Sequence, residues 1–392
     1  MPLTIVTGLY VALLAGDQAV FGLEARLLAL PPLCLAATMV CWRPVRSPVI
    51  RPVVVWVIAL CTWLAVTSTW SPQTAEVGAV TTDLVYLGLL VVLSAIIVPT
   101  LPDGAFTWLW WLLYLTAVLF AVAALVLGTT NEQGRLTAFG GGPNVFVRIV
   151  GLGVVATAAL VLASPGRRWF LLAPMPVLAI ATLLSGSRGG AVAVLIAFVA
   201  LVWLVLRHGT RNMRRGLAAG FIVGGIVLYF TAWPVVQEYV QERFVQATLV
   251  DRYSAGREDI IGLALSLFNE NLFFGAGIDV IAAETNGRFT HAHNLFLSAA
   301  AEGGLVALFL LIGALVAGVP AARAKGSVLA SMWLVAAALI FTSSMFSGGW
   351  YDSRFMWFFL VVGAEVAVRH MARASDNAGE SAQSRRARFR AR

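Results

Sequence analysis

The feature that most restricts this chain is a series of apolar stretches, each close to the length of a membrane-spanning helix. A helix needs roughly 20 mostly apolar residues to cross the hydrocarbon core of a bilayer. Of the 392 residues, 60% are hydrophobic and only 12% are charged, which excludes an ordinary soluble protein. The sequence therefore predicts an all-α, polytopic transmembrane helical bundle in a lipid bilayer, with about twelve spans. The predicted spans are residues 2–16, 27–42, 50–69, 79–98, 105–128, 145–164, 169–185, 189–206, 216–233, 294–318, 327–346 and 353–369.

The positive charges are distributed unequally between alternate loops. One alternate set of loops, together with the C-terminal tail, holds eighteen Lys and Arg residues, whereas the other set holds nine. Because positively charged loops stay on the cytoplasmic side, the richer set is predicted to be cytoplasmic. An even number of spans then places both termini on the cytoplasmic side of the plasma (inner) membrane. Orientation accounts for the net charge of +8, and we expect no nucleic-acid partner.

The chain divides into a bundle, one long loop and a tail. Residues 1–374 are predicted to form the bundle, and residues 375–392 to form a disordered basic tail, because they are rich in Ala, Ser and Arg without an apolar period. The loop of residues 236–293 is long and, by parity, lies outside. Its segment 260–268 predicts a partly amphipathic helix. A long structured loop among short ones is usually functional, so we expect it to cap an active site on the extracytoplasmic face.

Three arginines lie at or near apolar stretches on the predicted outer side, namely Arg148, Arg188 and Arg257. Ionised groups at bilayer depth usually face the protein interior or a water-filled cavity. Guanidinium groups bind phosphate bidentately, so a phosphorylated lipid is a suitable partner. The small residues of the segment 185–190 predict open backbone around Arg188, where a ligand can approach closely. The alternative is that these arginines extend to headgroups or pair with a carboxylate, and it weighs most for Arg148.

His291 and His293 are the outer histidines, and they directly precede a predicted span. A histidine near a helix start can act as a general base at neutral pH, although helix capping or another structural role is the alternative. A zinc site has little support, because carboxylates would have to complete it. Glu302, inside the following span, is expected to point into the bundle and to pair with an arginine or line a site. We find no nucleotide-binding or metal-binding motif and predict neither a cofactor nor a metal.

Four segments together resemble the O-antigen ligase and O-antigen polymerase superfamily of bacterial envelopes. They are residues 135–144 (RLTAFGGGPN), 184–190 (LSGSRGG), 256–277 (GR, then NLFFGAG) and 291–307 (HAHNLFL, then EGGLVA). Each segment is a weak signal by itself. Their order, sidedness and spacing around the large loop carry the resemblance.

The resemblance implies a GT-C-like, metal-independent, inverting glycosyltransferase. Such a protein moves a glycan from a polyprenyl-pyrophosphate carrier to a hydroxyl acceptor, which is a glycan, a lipid or another molecule, at the outer face of the membrane. Carried over to this sequence, the catalytic residues would be Arg188 and Arg257, in contact with the pyrophosphate, and His293, which would activate the acceptor hydroxyl. The predicted substrate-binding residues are Arg135, Asn144, Arg148, His291 and Glu302.

Other functions stay open beside a ligase. One is a repeat-unit polymerase of the same superfamily. Another, from a different class, is a transporter or flippase of a lipid-linked or small anionic solute. A transporter would have ionisable residues deep in several spans. Here the deep parts of the spans are nearly uncharged, and the exceptions, Asp83 and Glu365, lie near span ends. A purely structural membrane scaffold would not explain why His293 lies beside the arginine-bearing loops. The polar groups on the outer side therefore favour the enzyme.

Overall fold

The computed structural model describes residues 2–14, 19–20, 23–24, 51–128, 135–139, 142–163, 169–212, 214–220, 257–321 and 328–390, with isolated positions at 31, 34, 130, 222, 226, 229, 230 and 237. The architecture is all-α, as predicted, with one two-stranded ladder of Ala19–Val20 (β1) and Leu23–Glu24 (β2). The α-helices are α1 (Pro2–Leu14), α2 (Arg51–Thr67), α3 (Val77–Ile97), α4 (Asp103–Leu127), α5 (Pro143–Ala163), α6 (Met175–Leu184), α7 (Arg188–His208), α8 (Arg257–Glu270), α9 (Val280–Glu284), α10 (Leu295–Ala321), α11 (Val328–Ser344) and α12 (Arg354–Arg390). Short 3-10 helices occur at Ser68–Trp70, Val98–Thr100, Trp169–Leu172 and Tyr351–Ser353.

The apolar helices agree with the predicted spans. Seven of the described helices are long and apolar enough to cross a membrane, and three shorter apolar helices coincide with the predicted spans at 2–16, 169–185 and 327–346. This confirms a polytopic membrane protein. The spans predicted at 27–42 and 216–233 fall largely outside the described residues, so the total of twelve and the GT-C-like arrangement stay predictions.

Helix α5 lies at the centre of the bundle and is the most buried of the long spans. It packs against α4, α6, α7 and α11. Gly153 of α5 lies directly against Ala117 of α4, and Gly151 lies against side chains of Val194 and Leu339. Small residues let helix backbones approach closely in a membrane, where lipid tails offer no hydrophobic driving force for association. The α5 start, which carries two candidate site residues, is therefore rigidly held.

Helix α10 contains a break that docks the segment after α8 onto the bundle. Gly304 has φ +64°, so the helical hydrogen-bond ladder is interrupted there. The freed backbone groups bind the segment after α8: Ala276 N–H donates to Ala301 O (2.8 Å), and Leu305 N–H donates to Leu272 O (2.9 Å). A broken helix is tolerated at membrane depth when protein groups satisfy its backbone. The break ties α8 and the following loop to the bundle.

The candidate residues and the basic end of α12 lie at opposite ends of the bundle. At the end away from the candidate residues, Arg369 of α12 donates to Leu101 O (2.7 Å), and both Arg369 and Arg373 pair with Asp103 at the start of α4. Helix α12 then continues to Arg390. The sequence had suggested a disordered tail from Ser375. Its many Ala, Arg, Glu and Gln residues have good helix propensity, which accounts for the helical backbone.

Candidate active site

Most of the predicted site residues lie on segments that meet at one end of the bundle. These segments are the loop before α5, the start of α5, the starts of α7 and α8, the turn before α10 and the turn between α11 and α12. Several contacts join them: Leu136 N–H donates to Leu184 O (3.1 Å), and Asn294 Nδ2 lies 3.5 Å from Met345 O. Segments far apart in the sequence therefore form one surface.

Arg135 and Asn144 hold the loop that leads into α7. Arg135 Nε donates to Ser185 O (3.1 Å), and its Nη2 lies 3.5 Å from Asn144 Oδ1. The same Asn144 oxygen accepts a hydrogen bond from Ser187 Oγ (2.7 Å). Ser187 is the N-cap of α7, where its hydroxyl accepts from Gly190 N–H (3.2 Å). These hydrogen bonds fix the backbone at the start of α7, where Arg188 is the first helical residue.

Arg188 and Arg257 each begin a helix, and both are half-buried. Burial, together with the nearby positive charge of Arg188, lowers the pKa of Arg257. Two guanidinium groups that repel each other in a partly buried place are stabilised by an anion between them. The pair makes a region of positive potential at this end of the bundle.

The glycines beside Arg188 have a packing role that the sequence did not suggest. Gly189 lies directly against Phe346, and Gly190 lies directly against Val147. Any side chain at either position would collide with these neighbours. The prediction of backbone left open for a ligand is therefore wrong at Gly189 and Gly190, where protein side chains fill the space.

Arg148 is buried on α5, and all of its guanidinium nitrogens have protein partners. Nε donates to Ser343 Oγ (2.8 Å), and Nη2 donates to Ser347 O (2.6 Å). Nη1 forms a 3.1 Å ion pair with Asp352 Oδ2. Burial alone would raise the pKa of Asp352, but the charges of Arg148 and Arg354 outweigh it, so the pKa is lowered and the carboxylate stays ionised. The observed partners correspond to the alternative of carboxylate pairing.

The hydrogen bonds of His291 define its protonation state. Gly348 N–H donates to Nε2 (3.1 Å), so this nitrogen is an unprotonated acceptor. Nδ1 then carries the ring proton and donates to Thr290 Oγ1 (2.8 Å). Burial lowers the pKa of His291, which is consistent with a neutral ring. Its ring centroid lies 4.7 Å from that of His293, with the rings nearly perpendicular.

His293 is strained and has an unsatisfied nitrogen. Its φ of +54° is in the left-handed region, which is uncommon for a residue with a side chain. Its Nδ1 is buried and has no hydrogen-bond partner among the residues that the structure describes. Asn294, rather than His293, caps α10, because its Oδ1 accepts from Phe296 N–H (3.0 Å) and Leu297 N–H (3.2 Å). A strained backbone and a buried polar atom without a partner, both at one residue, make His293 a candidate functional residue.

Burial and the surrounding charges keep His293 neutral. Burial lowers its pKa to about 4, with further contributions from His291, Arg257 and Arg148. Arg257 is close enough to His293, and Arg188 is close enough to Arg257, for each charge to lower the pKa of its neighbour. Their combination offers positive charge and one unprotonated imidazole on the same surface.

The lowered histidine pKa predicts a pH dependence of stability. In the unfolded chain His293 has an ordinary pKa near 6.5. Between about pH 6.5 and 4, His293 is therefore protonated in the unfolded state and neutral in the folded state. Stability contributed by neutral His293 is therefore complete above pH 6.5 and lost as the pH falls toward 4. We expect the Tm in nanodiscs to fall between pH 7.5 and 5, and to fall less for His293→Gln. Equal falls in the two proteins would contradict the shift.

Glu302 binds a tryptophan instead of an arginine. Its buried Oε2 accepts a 2.6 Å hydrogen bond from Trp350 Nε1. The expected pairing with an arginine is not observed among the residues that the structure describes; the kink at Gly304 and the turn after α11 bring Trp350 to Glu302 instead. Glu302 thereby links the broken segment of α10 to that turn.

The turn of residues 345–353, here called the clamp turn, was not identified from the sequence. It supplies the Ser347 and Asp352 partners of Arg148, the Gly348 N–H on His291 and the Trp350 indole on Glu302. Gly348 has φ +99°, and a Cβ there would lie 2.5 Å from both Arg148 Nη2 and Asp352 Oδ2. The sequence signal was the run Ser347–Asp352, where two glycines and an acid lie between two spans.

The part of the chain that the structure describes contains no group of three or more His, Cys, Asp or Glu side chains placed as metal ligands would be. The polar groups at this end of the bundle are arginine and histidine side chains, backbone groups and the side chains of Asn144, Glu302 and Asp352.

Fold and site together define a polytopic α-helical membrane protein with guanidinium groups and a neutral histidine gathered at one end of its bundle. A family model described as O-antigen ligase matches residues 173–312, which include Arg188, Arg257, both outer histidines and Glu302. An O-antigen ligase of Pseudomonas aeruginosa is 27% identical over 299 residues, covering 72% of this chain and 69% of that protein. These findings confirm the resemblance seen in the sequence: the chain is similar to proteins of the O-antigen ligase superfamily.

Proposed function

We propose that this protein is an O-antigen ligase-like glycosyltransferase, which joins a glycan from a polyprenyl-pyrophosphate carrier to a hydroxyl acceptor with inversion at the anomeric carbon. The observation that carries the proposal is the place of Arg257 at one end of the bundle, where the charge of Arg188 helps to lower its pKa and where its own charge helps to lower the pKa of His293. The match to the O-antigen ligase family and to the Pseudomonas aeruginosa relative supports the same activity.

The proposed reaction is a single displacement. The acceptor hydroxyl oxygen attacks the anomeric carbon as His293 takes its proton, and the bond between that carbon and the pyrophosphate oxygen breaks. Arg188 and Arg257 bind the pyrophosphate and stabilise the negative charge that the leaving oxygen gains. The two guanidinium groups supply the charge that a divalent metal supplies in other transferases, so the scheme needs no metal.

Donor binding improves His293 as a base. Without an anion beside it, burial and the positive neighbours hold its pKa at about 4, which makes it neutral but weakly basic. A pyrophosphate between the arginines opposes those charges and raises the pKa of the imidazole toward the working pH, where general-base catalysis is most effective. The base thus becomes effective only when the donor is in place.

The remaining predicted site residues position other groups of the site and do not bind the substrates themselves. Arg148 and His291 are positioning residues, because the clamp turn occupies the polar atoms through which they would bind a substrate. Glu302 fastens that turn to α10. Arg135 and Asn144 hold the loop that presents Arg188.

The distribution of charge supports an extracytoplasmic site. The candidate residues lie at one end of the bundle, and Arg369 and Arg373 lie at the other. By the positive-inside rule, the end of Arg369 and Arg373 is cytoplasmic. The transfer would then take place at the outer face of the plasma membrane, with both termini inside.

Replacing each guanidinium by an ammonium group tests the phosphate contacts. Arg188→Lys and Arg257→Lys keep the charge but lose the planar, bidentate donor pair. We expect each to lower kcat/KM for the lipid-linked donor by about 10–100-fold, since one charged hydrogen bond contributes roughly 1.5–3 kcal/mol. Arg214→Lys, at an exposed position in a predicted cytoplasmic loop, is the control. Unchanged kinetics in both site variants would rule out the assignment.

The activity itself is tested by the length profile of lipid-linked glycans in a deletion strain, complemented with wild type or with His293→Ala. Full-length glycan that accumulates on the carrier, and is relieved only by wild type, is the expected result. Accumulation of single repeat units would indicate a repeat-unit polymerase instead. An unchanged profile would contradict both and point to the transporter.

A further inference from the structure

A cavity lined by both polar and apolar side chains lies next to the candidate active site. Its volume is about 210 Å³, and it lies between the first turns of α8 and the turn that follows α9. The exposed side chains of Asp259 and Glu284 line it, together with Asn286 and Arg288. The mechanism proposed above uses none of these groups.

The lining combines hydrogen-bonding groups of every kind with an apolar wall. The two carboxylates accept, the guanidinium donates, and the Asn286 amide does both. Phe289, half-buried, and Ile260, buried, form the apolar side. A sugar ring presents hydroxyl groups that donate and accept around its edge, and C–H groups on its faces. We propose that this cavity binds one sugar ring of the glycan substrate, an inference that rests on the proposed function.

The size and charge of the cavity argue against other ligands. Sites for drug-sized molecules measure about 300–1,000 Å³, so a cavity of about 210 Å³ suits a single ring. The carboxylates of Asp259 and Glu284 would repel a phosphate. The guanidinium of Arg288 opposes a metal cation. A neutral polyhydroxyl ligand satisfies all three groups.

The cavity is built in a fixed shape beside the proposed base. Asn286 (φ +51°) and Gly287 (φ +76°) reverse the chain, and Phe289 N–H donates to Thr285 Oγ1 (3.2 Å) across the turn. The Phe289 ring centroid then lies 6.5 Å from that of His293. A ring held in the cavity is therefore separated from the proposed base by one aromatic side chain. This is the position of a sugar next to the one that reacts.

The test is sugar binding by the full chain in nanodiscs, measured by saturation-transfer NMR with millimolar glucose, galactose, rhamnose and N-acetylglucosamine as separate probes. We expect a signal with at least one sugar, and its loss in the double variant D259N/E284Q. Glu258→Gln is the matched control, since Glu258 and Asp259 share the first turn of α8 but only Asp259 lines the cavity. It loses the same stabilisation of the helix dipole as Asp259→Asn and should keep the sugar signal. No signal with any of the sugars, or equal signals in wild type and D259N/E284Q, would overturn the proposal.

Two further measurements identify the sugar and separate this inference from the proposed reaction. If the bound ring belongs to the donor, D259N/E284Q should raise KM for the lipid-linked glycan. If the ring belongs to the acceptor, the double variant should raise KM for the acceptor. Either result supports the site. An unchanged KM for both contradicts it. Arg188→Ala and His293→Ala should abolish transfer and keep the sugar signal. A wild-type protein that binds sugar without transferring it would contradict the reaction and leave the binding site in place.

Discussion

His293→Gln is expected to lower the transfer rate by about 10²–10⁴-fold, the range that a general base contributes. Glutamine retains a polar side chain of similar reach but takes no proton from an alcohol. The variant should fold, because the described structure gives Nδ1 of His293 no partner and Asn294 provides the helix cap. The measurement is transfer in vitro from purified lipid-linked donor, with the Tm recorded for both proteins.

The control is His370→Gln, at the opposite end of the bundle, which should retain the wild-type rate. The pH profile adds a second readout. With the pKa of His293 at about 4 in the free protein, kcat/KM should be constant above about pH 5 and fall below it as the imidazole takes up a proton. The profile of kcat should have its acid limb at higher pH, because the bound pyrophosphate raises that pKa. A His293→Gln protein with wild-type activity would exclude the base role.

The bundle and much of the candidate site were predictable from local patterns. Apolar length alone predicts spans, and ten of the twelve predicted spans coincide with described apolar helices. The amphipathic segment after Arg257 is helix α8. The catalytic candidates could be chosen because charged residues are rare in such a chain, so Arg188, Arg257 and His293 stand out from apolar surroundings.

The partners of these residues could not be predicted, because they come from far along the chain. Arg148 meets Asp352 across about two hundred positions, and His291 meets Gly348. Nothing in the sequence near Arg148 indicates whether its partner is a substrate or a carboxylate. The glycines after Arg188 pose the same problem. A glycine is needed where Phe346 packs against the backbone, and it is equally needed where a ligand approaches the backbone closely, so the sequence does not separate the two cases. Only the packing of the helices separates the residues that bind a substrate from those that position them.

The clamp turn provides the most discriminating test of that distinction, because it contains two adjacent glycines with different constraints. Gly348→Ala places a side chain at φ +99°, at a cost of about 1–3 kcal/mol, and its Cβ would lie 2.5 Å from Arg148 Nη2 and Asp352 Oδ2. Separating that partly buried ion pair costs roughly a further 3–5 kcal/mol if the charges are left without partners. We expect a large fall in Tm and a loss of transfer of about 10²-fold, since small displacements of positioning groups have effects of that size.

Gly349→Ala is the matched control, because the nearest atom to its Cβ is His291 Nδ1 at 3.6 Å, an ordinary contact. It should retain nearly wild-type stability and rate. A purely structural defect in Gly348→Ala would lower activity equally at every pH. If the turn instead positions the histidines, displacing the Gly348 N–H frees His291 Nε2 to take up a proton, so the loss of activity should deepen as the pH falls. Equal behaviour of the two glycine variants would show that the clamp turn does not control the site.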